Sequence, residues 1–169
     1  MTETADAQWR LALIRDHYDH PRHRGALPEA DVVMPGGNPG CGDVVVVYLK
    51  GDGERLLQAS FEGRGCTVSQ AAASMVMEKA HQDGLNPQAI LAWDYQSMEE
   101  LLGADVVRAR PRCATLALAT LKAAVRAYLR KHQAREMGVE VPGGPSPQEV
   151  QGLVLGEAAW EAAGQRPHE

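Results

Sequence analysis

The chain has 169 residues, of which 44% are hydrophobic and 23% charged, an ordinary balance for a soluble globular protein with room for one good core. The net charge of −5 argues against a general nucleic-acid binder, and no apolar run approaches the length of a membrane span. The opening MTETADAQW is acidic and polar, unlike a secretory or mitochondrial leader, so a cytoplasmic protein with no nucleic-acid or membrane partner is expected.

From about Asp6 to His17, apolar Trp9, Ala12 and Leu13, followed by Tyr18, recur at helical spacing and predict an amphipathic helix. Pro21 and Gly25 end it, and His17, His20 and His23 read as a polar helix-end loop. Val44–Lys50 and Leu56–Glu62 read as strands joined by the turn GDGE, with Val32–Met34 as a short third strand. In the second of these, Leu57, Ala59 and Phe61 alternate with Gln58, Ser60 and Glu62, predicting one buried and one wetter face. A helix follows through SQAAASMVMEKAHQ and stops at Asp83-Gly84; Asn86-Pro87 opens another, and Ser97 with Glu100 matches a capping box for a third. A long helix from about Arg112 to Gln133 is apolar on most sides in its first half and is expected to be buried there. Its Lys122, Arg126 and Arg130 make a basic stripe, either a solvated face or a docking surface for an acidic partner. VPGGPSP (Val141 to Pro147) reads as a linker, and Ser146 with Glu149 opens a short helix to about Ala163. The expected division is therefore a main domain over 1–140 and a linker with a helical extension over 141–169.

Three cysteines dominate the chemistry: Cys41 in NPGCGD, Cys66 in EGRGCTVSQ and Cys113 in RPRCATL, with Asp43 two places after the first. An odd count without a secretory leader argues for free thiols rather than a disulfide framework. Cys66 and Cys113 fall at expected helix starts, where the macrodipole and unpaired N–H groups favour thiolate; Arg64, Arg110 and Arg112 are expected to push the same way. Gly40 and Gly42 free the backbone to bring Cys41 and Asp43 to one ion. Three thiolates and a carboxylate suit zinc, iron or an iron–sulfur cluster. Spacing by itself leaves a plain alternative open, three inert core thiols, because intervals of 25 and 47 residues match no C-x-x-C pattern. EGRGCTV fails as a dinucleotide fingerprint at Val68. With no general-base constellation or cofactor pocket readable, a carrier is expected rather than a stand-alone enzyme.

IRDHYDHPRHRG, NPGCGD, FEGRGCTVSQAAASMVME and RCATLALATLKAAV occur in an order that resembles the IscU/SufU/NifU-N-terminal family of iron–sulfur scaffold proteins, over roughly residues 9 to 132. The resemblance implies an α+β fold of the SufE/NifU-like kind, a small three-stranded antiparallel sheet with helices packed on one side. It implies that Cys41, Asp43, Cys66 and Cys113 converge near one exposed end as metal ligands. The three cysteines would hold a transient [2Fe–2S] cluster, and zinc can occupy the same site. It also implies a cysteine desulfurase as sulfur donor, Cys41 and Cys113 as candidate persulfide acceptors, and apo iron–sulfur proteins as recipients.

Two departures divide the family's branches. IscU-type members carry a His before the third cysteine, where this chain has Arg112, which cannot ligate a metal. They also carry a Leu-Pro-Pro-Val-Lys loop read by a specialised Hsp70 chaperone. VVRARPRC keeps a basic Arg110 there without the double proline, so that chaperone is not carried over as a partner. Arg112 and Cys-Ala-Thr-Leu look more like the SufU type, yet the interval from Cys66 to Cys113 is short for the extra SufU-type segment. Two functions are therefore expected in competition: a scaffold that assembles and passes on clusters, and a zinc-dependent sulfur acceptor that enhances a desulfurase.

Overall fold

The computed structural model describes residues 3–38, 42–141 and 144. The helices are α1 (Glu3–Asp19), α2 (Thr67–Gln82), α3 (Pro87–Ala92), α4 (Tyr95–Leu102), α5 (Ala104–Ala109) and α6 (Pro111–Glu136). Strands β1 (Val32–Asn38), β2 (Asp43–Asp52) and β3 (Arg55–Arg64) form one antiparallel sheet in the order β1-β2-β3. The apolar run of β2 takes the centre because both of its faces are covered, and a doubly covered strand needs no polar alternation. Val45, Val47 and Leu49 join the main core with the helices, while Val46 and Tyr48 pack with Val33, Leu27 and Ala30 on the other face. Helices thus lie on one side, and the connection from α1 to β1 covers the other.

All three strands are longer than the sequence suggests. β1 runs on through Pro35, Gly36 and Gly37 to Asn38, because an edge strand tolerates a missing donor and the glycines admit α6. A Cβ on Gly36 would collide with Thr120 Oγ1, so this glycine sets how closely α6 approaches the sheet. In β3 the register slips between Lys50 and Gly51, where Lys50 pairs with Gln58 and Gly51 with Leu56. Leu57 falls in that irregularity and is 53% exposed, whereas Leu56 is 6% exposed. The expected alternation holds for Ala59 and Phe61 and fails for Leu57; Ser60 is also buried, its hydroxyl donating to Gly25 O at 2.6 Å.

The face of α1 is another correction. Trp9 is 64% and Tyr18 42% exposed, and the buried residues are Ile14 and His17. His17 is no loop residue. Ser74 Oγ accepts from the Arg22 N–H at 2.8 Å and lies 2.8 Å from His17 Nδ1, to which it donates in the neutral tautomer whose Nε2–H faces Glu78. The remaining Nε2–H of a neutral ring then donates to Glu78, 3.3 Å away. Burial lowers the His17 pKa, with Arg22 acting the same way against Glu78 and Asp16. His23 stacks on His81 with centroids 3.8 Å apart, and His81 Nε2–H donates to Ala59 O at 2.9 Å. The Phe61 N–H donates to His23 O at 3.0 Å and the Gly25 N–H to Phe61 O at 2.8 Å, fastening this segment to the outer edge of β3. The histidines form a latch that holds α1 and its exit against α2 and the sheet.

α2 ends at Gln82 with Asp83 as C-cap, and Asn86 caps α3 by accepting from the Ala89 N–H, both as expected. α4 starts earlier than expected: Asp94 is its N-cap, and Ser97 is the third helical residue completing the box from inside. The short α5 has no counterpart in the sequence reading. In α6, Cys113, Ala114, Ala117, Leu118 and Leu121 are buried, as its apolar first half predicts, and Ala124, Val125 and Tyr128 carry the buried face on into the second half. Lys122 leaves the basic stripe: its ammonium donates to Trp93 O at 2.7 Å, while Arg126 and Arg130 stay exposed. No described helix is long and apolar enough to cross a membrane. Apart from Val141 and Gly144, the expected linker and extension lie outside the described residues.

Candidate metal centre

Three elements end together at one edge of the sheet. Asp43 opens β2 and is 1% exposed, Cys66 is the N-cap of α2, and Cys113 is the third residue of α6. Their ligand atoms all lie within 4.8 Å of one another. Residues separated by 23 and 47 positions meet because β3 delivers Cys66 to the end of β2 while α6 begins over the same edge.

The carboxylate organises the cluster. Asp43 Oδ1 accepts from the Cys66 N–H at 2.9 Å and from the Ser69 hydroxyl at 3.3 Å. Its other oxygen, Oδ2, accepts from the Cys113 thiol at 3.0 Å. The turn leading in has no space to spare: Gly65 has φ +155°, and a Cβ there would collide with Asp43 Oδ1 and stand 2.7 Å from Ser69 Oγ. Only glycine lets the backbone pass this close to the buried carboxylate.

The two described thiols differ. Burial works against a Cys66 thiolate, but the polar groups of Ser69 and the neighbouring Cys113 outweigh it, and its pKa is lowered. Burial pushes the Cys113 thiol strongly up, and the neighbouring Asp43 and Cys66 add to the rise. The expectation of a thiolate-favouring environment therefore holds for Cys66 and fails for Cys113. Its physical basis also changes. Arg64, Arg110 and Arg112 are exposed, and Ser69 and Cys113, not arginines, favour the Cys66 thiolate. Arg112 brings no ligand atom to the cluster.

Cys41 lies outside the described residues. The chain on either side of it is held at the site, since the Gly42 N–H donates to Asn38 O at 3.0 Å and Asn38 pairs with Asp43 across the hairpin. Sequence reasoning missed Ser69, although it stands three places after Cys66, where a helix's first free N–H groups are found. It missed Asn38 as well, which no local pattern marks.

The donor set is consistent with a metal. Two soft sulfurs and one harder oxygen sit within one coordination sphere's reach, and zinc, iron and iron–sulfur clusters take thiolate ligands with a carboxylate or other fourth donor. Cys66 is half-buried, and a depression of about 620 Å³ bordered by Tyr18, Arg24, Arg64 and Gln70 opens beside the adjoining Gly65.

Comparison with known proteins agrees with this geometry. The zinc-dependent sulfurtransferase SufU of Bacillus subtilis is 34% identical over 128 residues, covering 67% of this chain and 86% of that protein. The iron–sulfur cluster assembly scaffold protein IscU 1 of Archaeoglobus fulgidus is 32% identical over 129 residues, covering 74% and 82%. The solved structure of a SufU scaffold candidate from Fervidobacterium islandicum AW-1 superposes with a TM-score of 0.53 at 27% identity, covering 67% of this chain and 93% of that one. The model of the NifU-like N terminal domain matches residues 12–135, which takes in Asp43, Cys66 and Cys113 and the whole sheet beneath them, and the chain belongs to that family.

Proposed function

We propose that the protein is an iron–sulfur cluster assembly scaffold that takes sulfur from a cysteine desulfurase and builds a [2Fe–2S] cluster as cargo. Cys41, Asp43, Cys66 and Cys113 hold the cluster, which then passes to apo-proteins. The convergence of Asp43, Cys66 and Cys113 within 4.8 Å carries this reading. The mixed donor set suits a carrier, since a hard carboxylate oxygen is a poorer ligand than thiolate for a sulfide-rich cluster and makes release easier. Likeness to relatives named as IscU scaffolds supports the same function.

Of the two candidate persulfide acceptors, Cys41 is favoured for the first transfer, because the Cys113 thiol is buried and hard to ionise. In that step the Cys41 thiolate attacks the outer sulfur of the desulfurase persulfide. A new S–S bond forms, the donor's S–S bond breaks, and the desulfurase cysteine leaves as thiolate. Each transferred sulfur takes two electrons from an external reductant to become sulfide. Cys66, with its lowered pKa, is the described thiol most ready to bind metal.

A second reading is a zinc-dependent sulfur acceptor, favoured by the likeness to Bacillus subtilis SufU and by an Arg112 that offers no nitrogen ligand. In it zinc would sit on the same four residues, where it holds thiolates deprotonated. One anaerobic experiment separates the two. Metal-stripped protein receives ferrous iron, cysteine, a reductant and a catalytic amount of desulfurase. A [2Fe–2S] Mössbauer signature that moves to added apo-ferredoxin is expected for the scaffold. No cluster, with faster alanine release when zinc is supplied, would replace that reading with the second.

A further inference from the structure

Asn38 ends β1 and is 6% exposed, yet its Nδ2 has no hydrogen-bond partner among the described residues. Buried amide donors are almost always satisfied, so an orphan of this kind asks for an explanation. The sheet register locates it. Asn38 stands directly opposite Asp43, and directly opposed residues of an antiparallel pair present their side chains to the same face. Asp43 faces Cys66 and Cys113. The alternation of β1 agrees, since Val32 and Met34 contact the main core and Gly36 meets Thr120 of α6. Two residues on, Asn38 lies on that same face, at the end where α6 begins with Cys113.

We propose that Asn38 is a positioning residue whose side-chain N–H donates to an anionic sulfur of the loaded site. This inference rests on the metal-site reading. A thiolate–carboxylate cage around a divalent ion carries excess negative charge, and bound sulfide would add to it. Cys113 illustrates what changes on loading: its sulfur is now a donor to Asp43, and as a metal ligand it becomes an acceptor. A neutral donor on the face that Asp43 and the thiols share, left without a partner among the described residues beforehand, stabilises only the loaded state. The same amide penalises the empty one.

That asymmetry separates a donor held for cargo from an asparagine that merely braces the hairpin. Wild type, Asn38→Ala and Asn38→Asp are compared as full-length, metal-free proteins by urea unfolding, then titrated with cobalt(II) and, in competition with a chromophoric chelator, with zinc. Asn38→Ala is expected to leave metal-free stability unchanged or raised, weaken zinc binding about tenfold and shift the sulfur-to-cobalt charge-transfer band to lower energy. Asn38→Asp, which replaces the donor by a like charge, should weaken zinc binding further. A metal-free Asn38→Ala protein that is less stable, with wild-type affinity and an unmoved band, overturns the proposal. Wild type that binds neither metal would overturn the site reading itself, which is a different result.

Discussion

Both ends of α2 carry polar clusters, and they are built in opposite ways. Around Ser74, Glu78 and His81 the polar groups are mutually satisfied: Ser74 serves Arg22 and His17, His17 reaches Glu78, and His81 reaches Ala59. Around Cys66 the network stays open, with a thiol proton resting on Asp43 and a buried asparagine donor unmatched among the described residues. A closed network fixes structure, because removing any member strands another. A deficient one stores a preference for whatever completes it. One helix therefore carries the latch that holds the fold and the edge that awaits cargo.

The sharpest way to break this contrast is to exchange readouts between the clusters. Cys66→Ala removes a proposed metal ligand and is expected to weaken zinc binding by about 100-fold or more, beyond what loss of an outer contact costs. Its effect on the urea midpoint of metal-free protein should be small. Equal zinc affinity in wild type and Cys66→Ala would take Cys66 out of the site. Gly65→Ala should damage both properties at once, since its Cβ strikes Asp43 and its φ is +155°. A loss of about 2 kcal/mol or more is expected, with weakened zinc binding. Wild-type stability in that variant would show that the turn relaxes freely.

Ser74→Ala sharpens the other side. It strands the Arg22 N–H and the His17 ring, which should cost about 1–3 kcal/mol in urea unfolding while zinc affinity stays at the wild-type level. A matching loss of zinc affinity would mean that the latch and the site are coupled through α2. A proton count tests the site without mutation. Because the Cys113 pKa is raised, zinc uptake should release protons and strengthen as pH rises, about tenfold per unit for each proton lost. Calorimetry in buffers of differing ionisation enthalpy reads the number, and zero would leave Cys113 unligated.

The smallest effect expected is the pH dependence of the latch. Burial lowers the His17 pKa from its ordinary 6.5, and burial with the facing His81 lowers that of His23. The unfolded chain then binds more protons than the native one in the window below 6.5. Stability is full above that pH, falls as pH drops through it, and levels off below the lowered native values. Urea midpoints from pH 5 to 8 should show this slope, and His17→Gln should flatten it. An unchanged slope would assign the effect to other groups.

The strand and helix succession was legible in local signals: the valine run of β2, the Asp83-Gly84 stop, the Asn86-Pro87 start and the apolar first half of α6. The cysteines and Asp43 were legible as chemistry, since three thiols, each beside a glycine or at an expected helix start, together with a carboxylate make a metal-binding donor set. Errors arose where a side chain's role depends on what lies across from it. Leu57 alternates correctly along its own strand and is turned out by a register shift set by β2. Trp9 has the spacing of a core residue, yet α1 turns His17 inward because Ser74 and Glu78 of α2 supply its partners.

The sequence by itself determined which elements form and which residue types carry the chemistry, because propensity, capping and ligand softness are properties of near neighbours. Only the tertiary structure decided that Cys66 is the readier thiolate and Cys113 the reluctant one. Ionisation depends on burial and on what the fold brings alongside: Cys113 of α6 next to Cys66, whose own helix adds Ser69, and the Asp43 carboxylate of β2 against Cys113. The same holds for Asn38, whose donor is buried without a partner among the described residues because β1 pairs it opposite Asp43.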